Sequence, residues 1–278
     1  MLKQRVLTAV VLLAILLPTL LYPSPVPFCV AALLLIAVGA WEWGRLNGCG
    51  PVSSICLGFV CFGLCAASWT AGWLAKPLLL VWCAAGLVWV GGAGLLLSSG
   101  VSGWARLPQT IRLLVGVATL WCAWTAVAQA RVLGMEFLLS VMLIVWVADI
   151  GAYFTGRAFG GRFGTGKLAP SISPGKSWEG VWGGMFGVLV LALAWTTFEP
   201  DGRTIFHRLQ SQYGFIATTI SLIFLSTMSV VGDLVESLVK RNAGMKDSSG
   251  LLPGHGGVLD RVDALLPVVP LAMMLVGI

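Results

Sequence analysis

The stretch KDSSGLLPGHGGVLDRVDALLPVVPLAMMLVGI, from Lys246 to Ile278, joins a polar, glycine-rich segment directly to an apolar run. Its first eighteen residues contain three aspartates, a lysine, an arginine, a histidine and four glycines, although only 10% of the whole chain is charged. The apolar run after Asp263 has the composition of a membrane-embedded helix. This juxtaposition predicts a polar site that is anchored at the surface of a bilayer.

The rest of the chain repeats the pattern of apolar runs between short polar breaks. It has 278 residues, 58% of them hydrophobic, and a mean hydropathy of +0.94, which excludes an ordinary soluble domain. Because about 20 apolar residues cross the hydrocarbon of a bilayer, we predict an all-α, polytopic integral membrane protein with about nine transmembrane helices. The predicted spans are Val6 to Tyr22, Val26 to Trp41, Val52 to Trp73, Pro77 to Leu97, Ile111 to Ala130, Phe137 to Gly156, Gly180 to Phe198, Tyr213 to Gly232 and Val258 to Ile278.

The first apolar run also fits a secretory signal, because MLKQRVLTAVVLLAILL has a basic start followed by an apolar stretch. No small-x-small cleavage site follows it, which favours a retained first helix. On this interpretation residues 1–133 form about five N-terminal spans. Residues 134–278 form a C-terminal catalytic region with cytoplasmic loops at 157–179 and 233–263.

The basic residues are distributed unevenly between the two sides of the predicted membrane. With the N-terminus inside and nine spans, 13 lysines and arginines face the cytoplasm and 4 face out, as the positive-inside rule requires. Both polar loops then lie on the cytoplasmic side. The net charge of +6 therefore reflects topology and attraction to anionic lipid or phosphate, and it gives no reason to predict nucleic-acid binding.

Ionisable side chains inside or beside the spans are costly and so are candidates for function. Asp149 interrupts the run MLIVWVADIGAYF, where a simple helix-packing hydrogen bond is the alternative. Two helix ends each bring a pair of acids to the same face, and carboxylates gathered in this way suit Mg²⁺. These pairs are Asp233 with Glu236, and Asp260 with Asp263. By contrast, Glu42 and Arg45 are three residues apart and are predicted to pair on one helix face.

Basic and glycine residues accompany the acidic pairs. Lys240, Arg241, Lys246, His255 and Arg261 can contact phosphate oxygens, and the glycines at 250, 254, 256 and 257 allow close backbone approach. Acidic residues that can bind a metal lie beside basic residues that can bind phosphates, and both are next to a bilayer. This combination indicates phosphoryl-type transfer to or from a lipid. The alternative is a solvated loop with incidental charges.

A further segment, GRFGTGKL from Gly161 to Leu168, fits the phosphate-loop pattern GxxxxGK. It ends in leucine where the magnesium-binding serine or threonine belongs, and it follows an apolar helix instead of a strand. We therefore do not predict a nucleotide-binding P-loop, although Lys167 and the backbone N–H groups can still hold phosphate.

Three segments resemble the phosphatidate cytidylyltransferase (CDP-diacylglycerol synthase) family: SLVKRNAGMKDSSGLLPGHGGVLDRVD from Ser237, ADIGAYFTGRAFG from Ala148 and SPGKSWEG from Ser173. The resemblance implies a helical membrane enzyme, expected to be a homodimer in the bacterial inner membrane with its active site facing the cytoplasm. It also implies that CTP and phosphatidate give CDP-diacylglycerol and pyrophosphate, with Mg²⁺ and K⁺ as cofactors.

The resemblance also assigns roles to individual residues. The metal-site carboxylates would be Asp233, Asp260 and Asp263, with Asp149 as a further ligand. Lys246 and Arg261 would join those three aspartates as catalytic residues. Substrate and phosphate binding would fall to Lys176, Ser177, Lys240, Arg241, His255, Gly256 and Gly257.

Two other functions use similar residues. A CTP-dependent lipid kinase would pass the γ-phosphoryl group of CTP to a lipid alcohol. A cation transporter would place aspartates among its helices near the middle of the bilayer.

Overall fold

The protein is described by a computed structural model that covers residues 2–162, 166–199 and 202–278. It is built almost entirely of helices, with one short hairpin near residue 170. The elements are α1 (Leu2–Leu21), α2 (Val26–Leu46), α3 (Pro51–Thr70), a 3₁₀ turn (Trp73–Ala75), α4 (Leu79–Gly86), a π-helical segment (Leu87–Gly92), α5 (Ala93–Arg106), α6 (Gln109–Leu133), α7 (Met135–Phe159), β1 (Lys167–Ala169), β2 (Ser173–Ser177), α8 (Trp178–Phe198), α9 (Ile205–Asn242), α10 (Leu259–Val262) and α11 (Leu265–Leu275).

The prediction of an all-α, polytopic membrane protein is confirmed, but the count of nine spans is not. Among the described residues, seven helices are long and apolar enough to cross a membrane. The first predicted span contributes a shorter apolar helix, Val6–Leu21. The last predicted span is divided between the four-residue α10 and the eleven-residue α11.

Contacts between distant helix ends give the molecule two distinct ends. We call the end that carries residues 160–162, 166–177 and 243–258 the site end, and the opposite one the far end. At the site end, the Thr8 hydroxyl of α1 donates to the carbonyl oxygen of Pro253 (2.9 Å). At the far end, Arg131 of α6 donates to the carbonyl oxygen of Leu20 where α1 finishes (3.0 Å). Helix α1 therefore runs the whole distance between the two ends.

Helix α11 lies in the centre of the helical body. Its residues 266–273 are all buried, and it packs against α4, α6, α7 and α9. A methyl group at Gly277, just beyond α11, would lie 3.8 Å from the side-chain nitrogen of Gln212 at the far end. The contacts of α11 with α4 and α6 join the N-terminal and C-terminal parts of the chain into one packed body.

Glycines allow α7 and α8 to approach each other closely. A methyl group at Gly184 would lie 2.6 Å from the carbonyl oxygen of Ala148, and one at Gly151 would lie 2.8 Å from that of Gly183. Such small residues bring transmembrane helices into backbone contact. This close packing of α7 against α8 fixes the position of Asp149 relative to the hairpin that leads into α8.

Helix α9 extends further than the sequence indicated. It is broken at Gly214, where φ is 77°, and the part after this break contains residues 215–232 of the predicted span Tyr213 to Gly232. It then continues to Asn242, so the first ten residues of the predicted loop 233–263 are helical. The predicted loop 157–179 is likewise helical to Phe159 and contains the β1–β2 hairpin. Both segments lie at the site end.

Candidate active site

Lys240 lies between two carboxylates at the site end. Its Nζ atom forms ion pairs with Glu236 one turn earlier on α9 and with Oδ1 of Asp260 on α10, the latter at 2.5 Å. The three side chains are only 12%, 3% and 6% exposed, respectively. Because ion pairs shielded from water are only weakly screened, Lys240 joins α9 firmly to α10.

The second oxygen of Asp260 organises the glycine-rich segment. Its Oδ2 accepts hydrogen bonds from the Ser248 N–H (2.9 Å), the Ser248 hydroxyl (2.9 Å) and the Gly257 N–H (2.8 Å). Gly256 has a φ of 80°, and a methyl group there would lie 2.6 Å from the same oxygen. Glycine at 256 is thus required both by the backbone conformation and by the closeness of this carboxylate.

A second ion pair lies on the neighbouring turn of α9. Lys176 of β2 contacts Oδ2 of Asp233 at 2.6 Å, and the two side chains are 22% and 36% exposed. The Ser237 hydroxyl donates to the other oxygen of Asp233 at 3.2 Å. Asp233 therefore keeps partial access to solvent, unlike the buried carboxylates around Lys240.

Asp149 and Asp263 complete this group of charges. Each lies within electrostatic range of Asp233. The approach of Asp263 is permitted by Gly232, where a methyl group would lie 2.5 Å from the carbonyl oxygen of Asp263. The group, which we call the acidic cluster, contains five carboxylates and two lysines: Asp149, Asp233, Glu236, Asp260, Asp263, Lys176 and Lys240. Its carboxyl groups outnumber its lysines by five to two.

The hairpin is attached to the acidic cluster through Arg241 and through the start of α8. Arg241 donates to the carbonyl oxygens of Ile172 (3.3 Å) and Met245 (3.4 Å). Ser177 caps α8, since its hydroxyl oxygen accepts the Gly180 N–H at 3.2 Å. Both predicted phosphate-binding side chains therefore have structural contacts in addition to any contact with a substrate.

The outer basic residues are more accessible. Arg261 is exposed and donates to the carbonyl oxygen of His255 at 2.8 Å. Lys246 is exposed as well, and it forms no ion pair within the part of the chain that the structure describes. Nδ1 of His255 is buried and has no hydrogen-bond partner among the described residues. Lys246 and Arg261 therefore lie on the solvent side of the glycine-rich segment, whereas the ring of His255 is partly buried.

Residues 163–165 of the GRFGTGKL segment lie outside the described ranges. Lys167 begins β1 and is paired in register with Ser177. Gly161 donates its N–H to the Glu179 carboxylate at 3.0 Å.

Glu42 is the residue that the sequence interpretation placed wrongly. Its two carboxylate oxygens contact the segment around Ser248 and the start of α10, more than 200 positions away along the chain. Arg45 instead lies over the ring of Trp41, with its guanidinium carbon 4.9 Å from the ring centroid. The predicted ion pair of Glu42 with Arg45 is therefore wrong, because both side chains have other partners.

The acidic cluster is not a preformed metal cage. No three His, Cys, Asp or Glu side chains in residues 2–162, 166–199 and 202–278 are arranged to hold an ion by themselves. Any cation bound there must take further ligands from substrate phosphates or water, which is the usual arrangement for Mg²⁺.

Two cavities differ in their relation to this site. The larger, about 980 Å³, lies between α8 and α9 at the far end, where Arg203 and His207 line it. The smaller, about 220 Å³, is lined by apolar residues of α1, α2, α6, α7 and α11, and Arg261 is its single charged lining residue. The smaller cavity is the one relevant to the acidic cluster, because Arg261, a predicted site residue, lines it.

The fold and the site end define an all-α, polytopic membrane protein with a charged site at one end of its helices. Comparison with known proteins agrees with this description: the chain belongs to the cytidylyltransferase family, whose model matches residues 3–278. The chain is 37% identical over 289 aligned positions to the phosphatidate cytidylyltransferase of Haemophilus influenzae, covering 97% of this chain and 96% of that protein.

Two further relatives carry the same name. The phosphatidate cytidylyltransferase of Pseudomonas aeruginosa is 38% identical over 97% of this chain and 95% of its own length. That of Bacillus subtilis is 40% identical over 52% of this chain and 49% of its own length. The family resemblance that the three sequence segments indicated is confirmed.

Proposed function

We propose that this chain catalyses the reaction of CTP with phosphatidate to give CDP-diacylglycerol and pyrophosphate, in phospholipid biosynthesis. Family membership and two relatives of nearly full length with that activity in their names support the proposal. The structural observation that carries it is the convergence at one end of three separate segments, represented by Asp149, Lys176 and Asp260. Each of these segments resembles the phosphatidate cytidylyltransferase family.

The reaction needs no protein nucleophile. A phosphate oxygen of phosphatidate attacks the α-phosphorus of CTP in line, the new P–O bond forms, and the bond to the β-phosphate breaks to release pyrophosphate. Attacker and target are both anionic, so the protein has to position them and reduce their repulsion. Lys176, Lys246 and Arg261 are accessible cations at the site end that fit this role, and Lys167 and Arg241 are exposed there as well. Lys240 is less accessible, because its charge is shared by two carboxylates.

The donor set of the acidic cluster fits Mg²⁺. Hard carboxylate oxygens in excess over lysines favour a hard cation, and Asp233 is partly exposed. Asp233 and Asp263 would be the principal ligands, with Asp149 beside them; Asp260 would contribute less, because both its oxygens already have protein donors. When bound, Mg²⁺ would supply charge neutralisation for the phosphates. A K⁺ ion and a homodimer remain predictions.

The cavity beside Arg261 suits the lipid substrate. Its walls are apolar and its single charged lining residue is a cation, so it matches an acyl chain that ends near a phosphate. Ala32 of α2 is a lining residue, and Ala32→Phe would fill part of the cavity. We expect this variant to raise KM for long-chain phosphatidate about tenfold, with a smaller effect on a short-chain phosphatidate.

Val30→Phe is the matched control for this prediction, because Val30 lies on the same helix, is 41% exposed and lines none of the cavities described. Its KM for either lipid should equal that of the wild type. Equal KM changes for long-chain and short-chain phosphatidate in Ala32→Phe would refute the acyl-chain assignment.

The reaction itself is tested with labelled CTP. Purified protein in detergent with Mg²⁺ and phosphatidate should transfer label from α-labelled CTP into the lipid fraction, and none from γ-labelled CTP. Lipid label from the γ position alone would establish the kinase reaction instead. Lipid label from neither position would contradict both enzymatic functions and favour a transporter.

The same assay tests the proposed orientation. We propose that the site end faces the cytoplasm of a bacterial inner membrane, because 13 of the 17 basic residues fall on that side. Added CTP should therefore react in inverted membrane vesicles and fail to react in right-side-out vesicles. The opposite pattern would reverse the orientation without affecting the chemistry.

A further inference from the structure

We propose that Glu42 of α2 is a positioning residue for the acidic cluster: its carboxylate holds the glycine-rich segment in the conformation that presents Asp260 to Lys240. The expected effect of Glu42 on kcat rests on the proposed function. Its role in fixing the conformation of the glycine-rich segment rests on the contacts alone.

The Glu42 carboxylate is completely buried and has four donors within hydrogen-bond distance, one of which, the Ser248 hydroxyl, shares its single proton with Asp260. Oε1 accepts the Ser249 hydroxyl (2.5 Å) and the Val258 N–H (2.9 Å). Oε2 accepts the Leu259 N–H (2.7 Å) and the Ser248 hydroxyl (3.2 Å). A single side chain of the N-terminal part thus joins both ends of the segment 248–259.

No cation in the described part of the chain forms an ion pair with this carboxylate. A buried carboxylate is costly unless donors stabilise its charge, and here hydrogen bonds from Val258 and Leu259 at the start of α10, together with two hydroxyls, do so. Hydrogen bonds to a charged acceptor are about twice as strong as neutral ones. The arrangement therefore specifies one conformation of the segment.

Ser248 connects Glu42 to the acidic cluster. Its hydroxyl lies 3.2 Å from Oε2 of Glu42 and 2.9 Å from Oδ2 of Asp260, while its N–H donates to Asp260 (2.9 Å). A methyl group at Gly257 would collide with both the Glu42 carboxylate and the Ser248 hydroxyl. Glycine at 257 is thus explained by the approach of Glu42, without requiring a contact with substrate.

The test uses Glu42→Gln, which keeps the shape of the side chain but replaces one acceptor oxygen by an NH₂ group facing donors. We expect kcat per folded molecule to fall at least about tenfold, with a smaller change in KM for CTP. Glu42→Asp keeps the charge and should recover part of the lost kcat. Arg45→Gln, three residues along the same helix, is the matched control and should leave kcat unchanged.

Hydrogen exchange supplies a readout that does not depend on activity. In the full-length protein, Glu42→Gln should speed amide exchange in peptides covering 248–259 and leave peptides of α3 unchanged. An unaltered exchange rate in 248–259, or an unaltered kcat, overturns the inference. Inactivity of the wild type towards α-labelled CTP would instead overturn the proposed function, and the exchange result would still decide the role of Glu42.

A second variant covers the case in which Glu42→Gln does not fold. Ser249→Ala removes one donor at 2.5 Å and leaves the carboxylate with three others. We expect faster exchange in 248–259 and a kcat lowered about threefold to tenfold. Wild-type exchange and kcat in this variant would count against a positioning role.

Discussion

Asp233→Asn is expected to lower CTP-dependent labelling of phosphatidate by at least about a hundredfold. The substitution removes the negative charge of a proposed principal Mg²⁺ ligand, and the proposed reaction needs that ion to neutralise the phosphates. The side chain keeps its size and its hydrogen bond from Ser237. Lys176 loses its ion pair but is 22% exposed, so water can solvate its charge. The fold should therefore survive, and the melting temperature in detergent should stay close to that of the wild type.

The matched control for this prediction is Glu136→Gln at the far end of the molecule. Glu136 is an exposed acid that accepts the Arg203 N–H at 3.3 Å, and it lies outside the acidic cluster. Its activity should be within about twofold of the wild type. Raising Mg²⁺ should restore part of the Asp233→Asn activity if Asp233 binds the metal; near-wild-type turnover of that variant at ordinary Mg²⁺ would reject its assignment.

The fold was predictable wherever it depends on local composition. Apolar runs identify membrane-crossing helices because the bilayer forces backbone groups to pair within each segment. The extension of α9 to Asn242 was missed because DLVESLVKRN is polar, and polarity was interpreted as a loop. Its helix in fact continues past the apolar part, with Glu236 and Lys240 paired one turn apart.

The sequence was sufficient to predict which residues form the candidate site, but not which of them contact one another. The density of acids and bases after Asp233 marked the segment, the cost of a charge inside a span singled out Asp149, and the family resemblance added Lys176. Spacing alone could not show that Lys240 lies between two carboxylates, because Asp260 is twenty positions further along the chain. Its ion pairs depend on how α10 packs against α9.

Glu42 shows where local rules mislead. Helical spacing favoured a pair with Arg45, whereas its true partners are 206 to 217 positions away. One signal was available: an acid in the otherwise apolar run AWEWG is a functional candidate by the same reasoning that singled out Asp149.

Lys240→Met is expected to be the most destabilising single change at the site end. It leaves Glu236 and Asp260, which are 3% and 6% exposed, facing each other without a cation. Removing one partner from a buried ion pair typically costs about 3–5 kcal/mol, because the remaining charge is uncompensated. For a chain of this size, that corresponds to a fall in melting temperature on the order of 10 °C. Lys76→Met, which changes an exposed lysine at the far end, should leave the melting temperature unchanged.

The double variant Lys240→Met with Glu236→Gln separates stability from activity. Only Asp260 then remains charged at this position, and it keeps its donors from Ser248 and Gly257, so most of the lost melting temperature should return. Turnover should stay at least about tenfold below the wild type, because Oδ1 of Asp260 has lost the cation that orients it. Recovery of both melting temperature and turnover would show that Lys240 serves only to neutralise Glu236. Failure to recover the melting temperature would show that the contact with Asp260, not the one with Glu236, carries the stability.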